Sequence, residues 1–103
     1  MSKQNESHIV QVESELEDLI PGFIKNRYHD IEKIEGFLQQ EDFEAITLIG
    51  HTMKGNGAGY GFIEISEFGK SIETAAKEKE LPVIRKLLSD LAVYLDHVTV
   101  EYI

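Results

Sequence analysis

The chain has 103 residues, 42% of them hydrophobic and 28% charged, a size and balance that suit one folded domain with a real core. A formal net charge of -9 opposes general nucleic-acid binding, because phosphates would be repelled, and the lack of cysteine removes disulfides, thiolate nucleophiles and cysteine-based metal sites. No apolar run approaches the roughly 20 residues that span a bilayer, and the start "MSKQNESHIVQVESE" lacks the apolar centre of a signal peptide, so a cytoplasmic protein without membrane attachment is expected.

Helical spacing recurs from one end of the chain to the other. Ile9, Val12, Leu16, Leu19 and Ile20 fall at intervals of three or four and predict a short first helix after a polar start. Pro21-Gly22 then marks a junction, since proline is tolerated in the first turn of a helix but not in its middle. A second stripe follows with Phe23/Ile24, Arg27/Tyr28, Ile31, Ile34 and Leu38, and it runs down at "QQEDFE", where Asp42 is placed to cap the next helix. The third helix carries Phe43, Ile46, Ile49/Gly50 and Met53, continued by Gly57. The fourth carries Ile65, Phe68/Gly69, Ile72 and Ala75/Ala76, and ends in the solvated run "KEKE". Leu81-Pro82 opens the fifth, with Ile84, Leu87/Leu88, Leu91, Leu95, Val98 and Tyr102 in the cleanest stripe of the chain. No sustained alternation of period two is visible, so strands are not expected. The pattern predicts an all-α fold, an up-down antiparallel four-helix bundle with a short additional N-terminal helix. It forms one domain over residues 1–103, with residues 1–8 as a flexible start.

The third helix holds the densest glycine segment, "LIGHTMKGNGAGYGF". On a wheel of about 100° per residue, Phe43, Ile49, Gly50, Met53 and Gly57 fall within roughly 60° of Ile46 and form the buried face. His51 lies about 140° from Ile46, Gly55 about 180° and Leu48 about 200°, all on the outer side, with Lys54 about 80° round on the flank beside His51. Leu48, Gly55 and Ala58 then make a nearly flat patch of low charge around His51, the composition of a docking surface. An exposed neutral imidazole can act as a nucleophile at pH 7. A phosphoryl group captured there adds roughly -1.5 to -2 charges. Lys54 one turn away would partly offset that charge, by on the order of 1 kcal/mol at an exposed site. Gly55, which costs a helix about 1 kcal/mol relative to alanine, leaves clearance for a partner's active site.

"HTMKGNGAGYGF" resembles the motif of histidine-containing phosphotransfer (HPt) domains: His, any residue, a hydrophobic residue, Lys, Gly, small or polar residues, and a second Gly six after the first. His51, Met53, Lys54, Gly55, Asn56 and Gly61 fill those places, with Tyr60 where an aliphatic or phenyl residue is commoner. The resemblance extends through "DLIPGFIKNRYHDIEKIEGFLQQEDFEAITLIGH" and "GFIEISEFGKSIETAAKEKE", covering roughly residues 12 to 100. It implies a phosphocarrier, not an enzyme, with His51 as phospho-acceptor, Lys54 as charge compensator and Gly55 as the clearance position. It implies a partner receiver domain or sensor histidine kinase, with magnesium held by the receiver and no cofactor or metal in this chain.

A monomer is expected, and the initiating methionine favours a free-standing protein over a domain excised from a larger kinase. The competing function is a docking or inhibitory module that binds a receiver or kinase without being phosphorylated. Other features have blander readings. His8, His29 and His97 lack ligand spacing, "VESELED" reads as a solvated face, and Lys70 and Lys77 read as surface lysines even though they could border His51.

Overall fold

The computed structural model describes residues 8–103. All of the expected flexible start except His8 therefore lies outside the described residues. Four helices dominate: α1 (Ile20–Gln39), α2 (Phe43–Gly57), α3 (Ile63–Lys77) and α4 (Leu81–His97). They correspond to the second to fifth helices read from the sequence, and their boundaries follow from local chemistry. Pro21 and Pro82 sit in the first turns of α1 and α4, where a missing N–H costs nothing. Asp42 caps α2 by accepting a hydrogen bond from the Ala45 N–H at 3.1 Å.

The ends of the chain depart from the helical expectation. The predicted N-terminal helix is instead a strand, β1 (His8–Val12), followed by a 3-10 turn at Ser14–Leu19. The last turn expected of the fifth helix is a second strand, β2 (Val98–Tyr102). The two pair in parallel, from His8 opposite Val98 to Val12 opposite Tyr102, and a Gln11–Glu101 side-chain hydrogen bond crosses the ladder at 3.1 Å. Val10 and Val12 are buried while Ile9 is 66% exposed, so the inward set has period two. Val98 and Tyr102 misled because a separation of four keeps two residues on one side in a helix and in a strand alike. The Ser14 N–H and hydroxyl both donate to the Ile103 carbonyl, at 3.0 and 2.6 Å, which fastens the two ends together.

Each helix packs on its neighbours, α1 on α2 and α4, and α3 on α2 and α4. Ile34, Ile46, Ile65, Ile72, Ile84 and Leu91 are fully buried between them. The α2–α3 pair is the most intimate, and glycine makes it so. A Cβ on Gly50 would lie 2.7 Å from the Glu73 nitrogen and 2.9 Å from the Gly69 carbonyl, so neither helix could keep its place. Gly50 faces Gly69 and Glu73 while Gly57 faces Ser66 and Phe62, so α2 and α3 run antiparallel.

Candidate functional site

Asp42 fixes the start of α2, and His51 follows two turns later on the outer surface. Of the face expected to be buried, Ile46, Gly50, Met53 and Gly57 are buried while Phe43 and Ile49 at its edges are half-buried, and the His51 side chain is 62% exposed. Leu48 is 65% exposed, and Gly55 has open space where a Cβ would stand. Ala58 is exposed too, although it lies just past α2 in a 3-10 turn (Ala58–Tyr60).

Ser66 determines where α2 ends. Its hydroxyl donates to the Lys54 carbonyl at 2.8 Å and accepts from the Ala58 N–H at 2.7 Å, satisfying backbone groups that a helix terminus leaves unpaired. Gly57 gives that hydroxyl room. Gly61 closes the turn with φ of 95°, a left-handed conformation that favours glycine, which accounts for the closing glycine of the motif. Tyr60, the unusual residue at its position, stacks on Phe23 of α1 with ring centroids 4.4 Å apart.

The sequence reading missed Glu73. This α3 residue lies beneath His51 with its side chain 11% exposed, and three cationic or ring nitrogens converge on it. Its Oε1 is 3.0 Å from Lys54 Nζ. Its Oε2 is 3.1 Å from His51 Nδ1 and 3.6 Å from Lys77 Nζ. The Lys54 hydrogen bond, helped by that of His51, holds the Glu73 carboxyl below the usual glutamate range although burial opposes it. Glu73 is therefore an ionised acceptor at neutral pH, and Nδ1 must supply the proton of the shared hydrogen bond. The neutral ring then carries its lone pair on Nε2.

The geometry places two further lysines. Lys54, expected as a charge compensator, pairs with Glu73 in the resting protein. Lys77 is more than a surface lysine, because it borders the same carboxylate. Lys70 remains exposed on the outer side of α3. The other described histidines stand apart from the site. His29 faces Glu32 on α1 at 3.6 Å, and His97 contacts the Val93 carbonyl on α4 at 2.8 Å.

A sequence model of the Hpt domain matches residues 14–99, which span the 3-10 turn, all four helices and the start of β2. The chain belongs to the Hpt domain family. Membership ties it to two-component phosphorelays, in which Hpt domains act as phosphocarriers that interact with receiver domains and kinases. No curated protein and no solved structure matches the chain. Among the described residues, no helix of this Hpt domain is long and apolar enough to cross a membrane.

Proposed function

We propose that this Hpt domain is a phosphorelay intermediate on an up-down bundle, working as a cytoplasmic monomer. His51 accepts a phosphoryl group from a phospho-aspartate receiver or a sensor kinase and passes it to another receiver. The reading rests on one pairing, His51 Nδ1 on the Glu73 carboxylate at 3.1 Å, in a ring that is otherwise exposed. With Nδ1 protonated, the Nε2 lone pair attacks phosphorus. The bond from phosphorus to the donor oxygen breaks, and its electron pair returns to the donor carboxylate. The ring becomes a phospho-imidazolium whose positive charge faces Glu73, the role an acidic partner plays for a catalytic imidazole elsewhere. The receiver supplies magnesium and the acidic pocket, and this chain has no ATP-binding or hydrolytic site of its own. Leu48, Gly55 and Ala58 form the surface on which the receiver rests, and Lys54 compensates the charge of the arriving phosphoryl group.

Incubation with a phosphorylated receiver should place acid-labile, base-stable phosphate on the protein, and His51→Gln should remove all of it. Label that persists in this variant rejects His51 as acceptor. Receiver binding that survives His51→Gln, in a protein that never takes phosphate, is the result expected of the docking or inhibitory module.

A further inference from the structure

Glu73 has more partners than it needs in the resting protein. Lys54 and His51 each hold one carboxylate oxygen at 3.0 and 3.1 Å, while Lys77 stands 3.6 Å from the oxygen already bonded to His51. Lys77 is 63% exposed and lies one turn after Glu73 on α3, an i,i+4 spacing that lets the two side chains meet. A further approach of under about 1 Å would bring its ammonium to ordinary hydrogen-bond distance.

If His51 is the phosphoryl acceptor, as the preceding reading holds, phosphorylation disturbs this arrangement. The new dianion sits on the ring, and Lys54, 40% exposed and three residues on from His51, is the cation best placed to follow it. Its departure strips a nearly buried carboxylate of its closest charge partner, which is unfavourable unless another cation replaces it. Lys77 is already beside that carboxylate.

We propose that Lys77 is a reserve cation for Glu73, taking over the carboxylate when Lys54 turns to the phosphoryl group and so lengthening the life of the phosphohistidine. It is a positioning residue that acts through Glu73 and not on the phosphate. Its effect has a definite sign. In hydrolysis a water oxygen attacks phosphorus, the P–N bond breaks with its electron pair returning to Nε2, and the water gives up a proton to solvent. That step is easier when the ring keeps its Nδ1 proton and leaves as neutral imidazole. An uncompensated Glu73 strengthens the hold on that proton, and a Glu73 neutralised by Lys77 weakens it.

The full 103-residue chain is incubated without any partner with potassium phosphoramidate, a phosphoryl donor whose P–N bond breaks with loss of ammonia. Phosphohistidine decay is then followed by phosphorus NMR after donor removal. In the resting protein, Lys77→Met should leave the His51 tautomer unchanged by nitrogen NMR, because Lys54 still holds Glu73. In the phosphorylated protein it should shorten the lifetime by about three- to tenfold, the scale of a one-charge change beside a titrating ring. Lys77→Arg should restore the lifetime. In a Glu73→Gln background Lys77→Met should have no effect. An unchanged lifetime in Lys77→Met overturns the proposal, and so does an equal acceleration with and without Glu73, which would place Lys77 on the phosphate itself. Wild-type protein that takes no phosphate removable by His51→Gln is a different failure, that of the acceptor assignment, and the proposal falls with it.

Discussion

Glu73 changes what Lys54 does. A lysine beside a phosphorylatable histidine reads as a counter-charge for phosphate, yet in the resting protein it neutralises a carboxylate from another helix. Glu73→Gln should keep the shape of the side chain but lose its charge, so that Nδ1 no longer has an obligate acceptor. Nitrogen NMR should then show a mixture of ring tautomers. The rate of phosphoryl transfer to His51 should fall at least roughly 10- to 100-fold, the cost typical of removing the partner that orients a metal-bound imidazole. An unchanged tautomer and rate would reduce Glu73 to a packing residue. Stability should follow pH with a sign set by the lowered pKa of Glu73. Its contribution is fully present above the unfolded glutamate value, near 4.3, and is lost as pH falls through the lower folded value. In urea melts, the stability of the wild type relative to Glu73→Gln should therefore decline as pH drops below about 5. A difference that stays constant down to the lowest pH would contradict the ion pair. Glu73 was hard to see in the sequence because it is 22 residues from His51 and belongs to a helix whose acids and lysines look solvated. The available signal was positional: it follows Ile72 directly and lies four after Gly69, on the shoulder of the buried stripe.

At the scale of the helix, the same residue type serves opposite ends. Gly50 and Gly69 let α2 and α3 approach until backbone meets backbone, and that approach carries Glu73 under the ring. Gly50→Ala should cost about 2–3 kcal/mol through overpacking and should weaken the His51–Glu73 pairing as the helices part. Gly55→Ala meets nothing within 4 Å and should stabilise α2 by up to about 1 kcal/mol through helix propensity. The test lies in function. Gly55→Ala should slow transfer from a phosphorylated receiver while leaving labelling by phosphoramidate unchanged, because only the bulky donor needs clearance. Gly36→Ala on the exposed side of the last turn of α1, also in open space, should gain up to a similar stability and alter neither reaction. Equal rates for both variants with the receiver would remove the clearance role of Gly55. These elements were legible because their signals are local. Pro21, Asp42 and Pro82 announce helix starts within one turn, and the wheel of α2 sorts Gly50 and Gly57 from Gly55 without any knowledge of neighbours.

The terminal sheet shows what local signals leave out. The ladder joins residues 90 apart, and each strand is only five residues long. A segment that short fits more than one period, and its hydrogen-bond partner is defined only once the bundle has brought the ends of the chain together. Folding should accordingly form the helices first, because closing so long a loop is costly before packing repays it. Removing Val98–Ile103 tests this dependence. Loss of β2 uncovers Val10 and Val12, 8% and 1% exposed in the intact protein, and leaves β1 with no strand to pair with. Burying such side chains is worth about 1.5–3 kcal/mol each, and they would regain only part of that cover, so the truncated chain should lose about 2–4 kcal/mol in urea unfolding. It should still fold, since β2 adds only the partly buried Val98, Val100 and Tyr102 to a core whose fully buried side chains come mostly from the four helices, and a helical circular dichroism spectrum should persist. Labelling of His51 by phosphoramidate should also persist, because the site is assembled from α2 and α3 alone. An unfolded truncation would make the sheet part of the folding core, and an undiminished stability would reduce it to a loose tie between the two ends.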